Sequence, residues 1–142
     1  TDLAGLTKES RVLEVGTGSG YQAAVLAELA AEVYSIEIIP DLARQAAVRL
    51  ESLGFTNVHP RLGDGYQGWP EKAPFDAILV TAAAPEVPVP LIDQLGPGGR
   101  LVIPVGYPDS RQQLLLLRKS EDGAVSRREI LPVVFVPLTG KH

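Results

Sequence analysis

The chain has 142 residues, of which 45% are hydrophobic and 21% are charged, as in an ordinary globular protein. A formal net charge of −4 without a Lys/Arg cluster argues against nucleic-acid binding, and no apolar run is long enough to span a bilayer. The absence of cysteine excludes disulfides and a thiol nucleophile, and two histidines disfavour a zinc site or a Ser–His relay. We expect one domain over residues 1–142, cytoplasmic by default, without a metal and without a membrane or nucleic-acid partner.

The first predicted unit is a strand, a glycine-rich turn and a helix. The apolar run at residues 12–15 indicates a strand buried on both faces, and the Ala- and Leu-rich segment over residues 21–30 indicates a helix. Between them, Gly16, Gly18 and Gly20 allow positive φ and let a ligand lie against the backbone at the start of the helix. The alternative is a tight turn that binds nothing.

The spacing of these glycines separates two classes of nucleotide-type site. The dinucleotide fingerprint G-x-G-x-x-G, counted from Gly16, requires glycine where Tyr21 stands, so a nicotinamide dehydrogenase is disfavoured. The pattern E-x-G-x-G-x-G, which begins at Glu14, resembles instead the first motif of the Rossmann-like S-adenosylmethionine methyltransferases. The ligand of those enzymes carries an amino acid and a sulfonium in place of phosphates.

A second strand is predicted over residues 32–36, followed directly by Glu37. A carboxylate at the end of the second strand of a βαβ unit can accept hydrogen bonds from both hydroxyls of a ribose. The alternative is an exposed charge at a strand end. Taken together with the glycine turn, the ribose interpretation is favoured.

A helix is predicted to begin at Pro40 and to end at Gly54, since proline and an acidic residue are typical of a first turn. Four apolar residues recur at helical spacing and form its predicted buried face: Leu42, Ala46, Leu50 and Leu53. A third strand is predicted over residues 57–62.

The loop over residues 63–70 should lie at the carboxyl edge of the sheet, where α/β folds bind ligands. Asp64 could accept a hydrogen bond from the exocyclic amine of adenine while the Gly65 N–H reaches a ring nitrogen. The alternative for Asp64 is an Asx-type turn, in which it bonds its own backbone. Trp69 could form a wall of the adenine pocket or pack in the core.

A fourth strand is predicted over residues 75–80, and the small residues at 81–84 leave room and backbone N–H groups where a reacting group could sit. Packing of helix against sheet is the alternative there. The remaining predicted elements are a helix over 89–95, a turn at 96–99, a strand over 100–104, a hairpin of 113–118 with 125–130, and a closing apolar segment over 131–138 that covers the sheet edge or the mouth of the site. This order predicts an α/β, Rossmann-like fold: a mostly parallel, doubly wound sheet with a C-terminal antiparallel hairpin.

Several motifs resemble protein-L-isoaspartate O-methyltransferase, over nearly the whole chain from about Arg11. These motifs are Val12–Gln22 (VLEVGTGSGYQ), Gly63–Pro70 (GDGYQGWP), Ala73–Pro85 (APFDAILVTAAAP), Arg100–Gly106 (RLVIPVG) and Phe135–Leu138 (FVPL). The resemblance implies methyl transfer from S-adenosylmethionine, leaving S-adenosylhomocysteine, to the α-carboxylate of L-isoaspartyl residues in damaged proteins and peptides, by a monomer.

The resemblance also implies which residues form the site. Those that would bind the cofactor are Glu14, Gly16, Thr17, Gly18, Ser19, Gly20, Glu37, Ile38, Gly63, Asp64 and Gly65. Those that would contact the substrate are Thr81, Ala82, Ala83, Val136 and Leu138. The family's catalytic serine belongs to a segment expected before the position of Thr1, so no catalytic residue is assigned.

The implied chemistry suits a chain that is poor in histidine and lacks cysteine. A carboxylate is already ionised at pH 7, and the sulfonium is an activated leaving group, so alignment and exclusion of water suffice. Two alternatives stay open: a core that binds S-adenosylmethionine or S-adenosylhomocysteine without turnover, and a methyltransferase for another small acceptor.

Overall fold

The structure is a computed structural model that describes residues 5–107 and 112–133. The strands in these ranges are β1 (Arg11–Val15), β2 (Glu32–Glu37), β3 (Val58–Leu62), β4 (Phe75–Val80), β5 (Leu95–Val105), β6 (Gln112–Lys119) and β7 (Val125–Val133). The α-helices are α1 (Tyr21–Leu29), α2 (Pro40–Ser52) and α3 (Val89–Asp93), and two short 3₁₀ turns, Gly65–Gln67 and Pro70–Lys72, follow β3. No helix within the described ranges is both long and apolar enough to cross a membrane.

The strands form one sheet in the order β3-β2-β1-β4-β5-β6-β7. β1 pairs in parallel with both β2 and β4, and β3 and β5 extend the parallel region on either side. β6 and β7 add to β5 in antiparallel orientation. The α/β class and the C-terminal antiparallel hairpin are therefore confirmed. The strand order reverses beside β1, which places a crevice at the carboxyl ends of the strands.

The core has two layers, one on each face of the sheet. Leu13 of β1 packs in the layer that contains Leu91 of α3, whereas Val12 packs with Leu26 of α1 and Leu50 of α2. β1 is buried on both faces because it is the central parallel strand, as its apolar sequence predicts. The carboxyl end of β1, where the glycine turn begins, is therefore held from every side.

The predicted buried face of α2 is partly wrong. Ala46 and Leu50 are buried, but Leu42 is only half-buried and Leu53 is 61% exposed. The helix ends at Ser52, so Leu53 lies at the cap, where helical spacing no longer sets the direction of a side chain.

The predicted turn over residues 96–99 is part of β5, and the predicted helix over 89–95 ends at Asp93. Leu95 already pairs with Phe75, and after a shift in register Arg100 pairs with Ala77. A Cβ at Gly99 would lie 2.8 Å from the Gly96 carbonyl oxygen, so glycine permits this tight bulge within a continuing strand.

Gln94, at the end of α3, makes hydrogen bonds to the backbone of the loop over residues 63–70. Its side chain is 7% exposed; Oε1 accepts a hydrogen bond from the Trp69 N–H at 2.8 Å, and Nε2 donates to the Gln67 carbonyl at 2.9 Å. A glutamine can satisfy a donor and an acceptor at once, which neither a carboxylate nor an ammonium does. Gln94 therefore ties the segment after β3 to the segment after β4.

We expect Gln94→Ala to lower the free energy of unfolding by about 1–3 kcal/mol, because it leaves the Trp69 N–H and the Gln67 carbonyl without their partner. Urea denaturation measures the change. Gln45→Ala, on the exposed surface of α2, is the matched control and should change stability by only about 0.5 kcal/mol or less. Equal unfolding midpoints for the two variants would show that Gln94 does not clamp the loop.

Candidate active site

The turn between β1 and α1 is built on three glycines with positive φ: 100° at Gly16, 55° at Gly18 and 88° at Gly20. The N–H groups of Gly16 and Thr17 both donate to the Ile36 carbonyl, at 2.8 and 3.2 Å. These bonds tie the turn to the end of β2. The conformation of the turn therefore depends on contacts with β2 as well as on its own residues.

Gly16 and Gly18 serve this turn for different reasons. A Cβ on Gly16 would overlap with Oγ1 of Thr81, which lies within hydrogen-bond distance of the Val15 and Gly16 carbonyls at 3.1 and 3.0 Å. A Cβ on Gly18 would meet nothing within 4 Å. Thr81 therefore clamps the start of the turn to β4, and the turn opens to a ligand at Gly18.

Glu37 lies beside this opening. It is 7% exposed, so the alternative of an exposed charge at a strand end is excluded. Its Oε1 accepts from the Gly18 N–H at 2.9 Å, and its Oε2 accepts from the N–H groups of Ile38 and Ile39 at 3.0 and 3.1 Å. A carboxylate has about four acceptor positions, so Glu37 fixes the turn and keeps capacity for a hydroxyl donor.

The loop after β3 continues the same row of strand ends. The Gly63 N–H donates to the Glu37 carbonyl at 3.0 Å, and Asp64 Oδ1 accepts from the Tyr66 N–H at 2.9 Å. Asp64 thus makes the Asx-type bond that the sequence left as an alternative, and in doing so it starts the 3₁₀ turn at Gly65. The predicted cofactor residues on β1, β2 and β3 therefore lie along one edge.

Glu14 lies beneath the turn and has no exposed surface. Its Oε1 accepts from Ser35 Oγ at 2.6 Å, and Ser35 Oγ lies 2.6 Å from Thr17 Oγ1. Burial raises the pKa of Glu14 to about 7; the Ser35 hydrogen bond opposes this rise and the charge of Glu37 adds to it. Glu14 therefore reaches the ligand side only through Ser35 and Thr17.

Ser35 is a site residue that the sequence analysis missed. Its signal was a small hydroxyl residue, Ser35, at a buried position in the interior of β2. Two other predicted cofactor residues are more accessible: Ser19 of the turn is exposed, and its carbonyl accepts from Arg49 of α2 at 2.5 Å, while Ile38 after β2 is half-buried. Arg49 was missed as well, since helical spacing marks it only as a solvent-facing residue.

The small residues after β4 are packed against the sheet. Ala82 and Ala83 are 9% and 3% exposed, and Thr81 is committed to the glycine turn. Val136 and Leu138, the other predicted substrate residues, lie outside the described residues. Trp69 packs against the core, with the Arg61 guanidinium 4.7 Å from its ring centroid, so core packing accounts for it.

A groove of about 640 Å³ lies between the segment after β3 and the segment after β4. Its described lining is Tyr66, Gln67, Pro85, Glu86, Val87, Pro88, Val89, Pro90 and Tyr107. Three prolines in six residues, at 85, 88 and 90, mark this wall in the sequence, and the sequence analysis did not use them. In the part of the chain that the structure describes, no three His, Cys, Asp or Glu side chains are placed to hold a metal ion.

A family model of protein-L-isoaspartate(D-aspartate) O-methyltransferase matches residues 1–142. The chain belongs to this family. A curated relative from Nitrosospira multiformis, protein-L-isoaspartate O-methyltransferase 1, is 62% identical over 142 residues, which is all of this chain and 60% of the relative. The chain thus spans about three-fifths of that relative's length.

Solved structures of the isoaspartate methyltransferase family have the same fold. One protein-L-isoaspartate O-methyltransferase superposes with a TM-score of 0.90 at 35% identity, covering 98% of this chain and 45% of its own. A Plasmodium falciparum structure given the same family description, in complex with S-adenosyl-L-homocysteine, has a TM-score of 0.75 at 27% identity and covers 94% of this chain and 67% of its own.

We expect Gly16→Ala to destabilise this family member by about 3 kcal/mol or more, since strain at positive φ adds to the overlap with Thr81. Gly54→Ala is the matched control: Gly54 has a φ of 81° but nothing within 4 Å of a Cβ, so about 1–2 kcal/mol is expected. Thermal denaturation of the two variants compares them. A loss at Gly54 as large as that at Gly16 would remove the role given to Thr81.

The raised pKa of Glu14 makes stability depend on pH. Because the folded chain holds this proton up to about pH 7 while the unfolded value is 4.5, the stabilising contribution is complete below pH 4.5 and is lost as pH rises through 7. The shift corresponds to about 3 kcal/mol.

Glu14→Gln, which is neutral at every pH, should therefore gain stability relative to the parent as pH rises from about 5 to about 8. Urea titrations at four pH values measure this difference, and Glu51→Gln on the exposed surface of α2 is the control. Parallel pH curves for the parent and Glu14→Gln would show that Glu14 is ionised throughout.

Proposed function

We propose that this chain binds S-adenosylmethionine at the carboxyl ends of β1, β2 and β3 and transfers its methyl group to the α-carboxylate of L-isoaspartyl residues in polypeptides. The observation that carries the proposal is the glycine turn, which is held by Glu37 and opens at Gly18. The proposal includes action as a monomer in the cytoplasm, without a nucleic-acid or membrane partner. Family membership and the names of the relatives support the reaction.

The residues present fit this cofactor. The open side of Gly18 admits a ligand close to the backbone, and Glu37 retains acceptor capacity for the ribose hydroxyls. Asp64 and Gly65 follow the next strand end, where they would contact the adenine, and Ser19, Gly20, Ile38 and Gly63 would complete the site. This row of backbone and carboxylate groups would hold a ligand that has no phosphate.

The chain contributes positioning to the reaction. When bound, the cofactor supplies a methyl group on a sulfonium, which is an activated leaving group. The acceptor carboxylate is ionised at pH 7, so the chain needs no residue that removes a proton. The rigid turn and the packed residues 81–83 would hold the two reactants in line and exclude water, which is catalysis by proximity.

The groove between the segments after β3 and β4 favours a polypeptide acceptor over a small carboxylate. Its volume of about 640 Å³ exceeds what a single carboxylate requires, and its lining combines two tyrosines with three prolines. Grooves lined by aromatic side chains bind extended peptides in several recognition modules. We infer that the chain on one side of the methylated residue lies here.

Calorimetric titration with S-adenosylhomocysteine tests the cofactor site. We expect the parent to bind, and Glu37→Ala and Asp64→Ala to lose at least about tenfold in affinity, since each removes hydrogen-bond acceptors from the ligand edge. Glu51→Ala and Asp93→Ala, both at exposed positions, should bind as the parent does. Circular dichroism melts show whether each variant is folded. A folded parent that does not bind contradicts the proposal.

The reaction itself is tested by transfer of a labelled methyl group to a peptide with one isoaspartyl residue. The same peptide with aspartate should accept none, because its backbone carries no free α-carboxylate at that position. Cofactor binding without transfer would favour a core that binds without turnover. Transfer to small carboxylates in preference to the peptide would favour another acceptor.

A further inference from the structure

One carboxylate oxygen of the buried residue Glu14 makes no hydrogen bond within the described part of the structure. Glu14 is 0% exposed, Oε1 accepts from Ser35, and Oε2 has no hydrogen-bond partner in the structure. A buried carboxylate is costly in free energy unless it is paired, and a half-satisfied one more so than a fully bonded one. Its neighbours on the adjacent strands are Ser35 and Leu79, and no cation pairs with it in the described residues, so its presence calls for an explanation.

Glu14 is coupled to the ligand edge in two ways. The hydrogen-bond chain from Glu14 through Ser35 to Thr17 reaches the backbone of the glycine turn. Glu37, whose Oε1 holds the Gly18 N–H, raises the pKa of Glu14 through charge repulsion. A change of charge at the turn therefore changes the pKa of Glu14. By linkage, ionisation of Glu14 changes the affinity of the turn for a charged ligand by the same free energy.

The other charged groups around Glu14 lie at the surface or at the far end of the strands. On the elements that pack around it, beyond Glu37, they are Arg11, Glu32, Asp76, Glu28, Asp41, Arg44, Arg49 and Glu51. Arg49 reaches the turn, at the Ser19 carbonyl. Of the ionisable groups in the described residues, Glu37 is the one that shifts the pKa of Glu14.

S-adenosylmethionine and its product differ in one formal charge. The reactant carries a sulfonium, the product a neutral thioether, and their amino and carboxylate groups are the same. An ionised acid beneath the turn attracts the first and not the second. Because the site is buried, this attraction is screened far less than it would be at a surface.

We propose that Glu14 is a positioning and discriminating residue that makes the turn prefer the sulfonium cofactor over the thioether product by charge. This inference rests on the proposed function, because it concerns the same ligand site. Glu14 has no exposed surface, so it acts through the hydrogen-bond chain and through the field at the turn. Loss of the sulfonium charge on methyl transfer removes the preference, which favours release of the product.

The test is the ratio of the two affinities as a function of pH. Association constants for S-adenosylmethionine and S-adenosylhomocysteine are measured by calorimetry on the whole chain between about pH 5.5 and about pH 8. Groups that the two ligands share cancel in the ratio. We expect it to rise about three- to tenfold across this range as Glu14 ionises, the size expected for two unit charges roughly 12 to 25 Å apart at an effective dielectric constant near 20.

Three variants make the result specific to Glu14. Glu14→Gln should give a ratio independent of pH, and Glu51→Gln should keep the rise of the parent. Ser35→Ala removes the hydrogen bond that lowers the pKa of Glu14, so the rise should move to higher pH, which a purely structural role would not produce. If Glu14→Gln does not fold, the Ser35→Ala profile decides.

A flat ratio in the parent, or a rise that persists in Glu14→Gln, overturns the inference and leaves the cofactor site intact. Binding of neither ligand by folded parent protein overturns the proposed function and this inference together. The two failures are therefore distinguishable.

Discussion

The geometry of the ligand edge depends on one carboxylate that accepts three backbone N–H groups. One carboxylate oxygen of Glu37 accepts from the Gly18 N–H, and the other accepts from the N–H groups of Ile38 and Ile39. The backbone carbonyl of Glu37 accepts from the Gly63 N–H. The turn after β1 and the loops after β2 and β3 therefore meet at a single residue. Backbone groups in irregular loops must find partners when they are buried, and here one buried acid provides them.

Two further side chains, one after β4 and one at the end of α3, fix the loops near this carboxylate. Thr81 clamps the first carbonyls of the turn from β4, and Gln94 clamps the loop after β3 from α3. Both clamps join segments that follow different strands, which fixes the position of one loop relative to the next. Such preorganisation suits a reaction in which alignment supplies most of the rate enhancement.

Two buried acids at the turn, Glu14 and Glu37, are costly in free energy. Glu14 lies beneath the turn with one oxygen unpartnered, and Glu37 repels its charge. Natural proteins keep such costs mostly at functional sites. The buried acid below the turn, when ionised, adds negative charge that suits a cationic ligand.

The sequence alone determined the fold class, the central strand and the residues of the glycine turn, because periodicity, turn chemistry and strand order are local properties of the chain. It failed at Leu53 and at residues 96–99, where a helix end and a bulge replaced the expected pattern. Only the tertiary structure showed that Glu37 bonds Gly18, 19 residues away, and that Thr81 bonds Gly16, 65 residues away. Those contacts arise where separate strand ends meet, and no spacing along the chain encodes the distance between them.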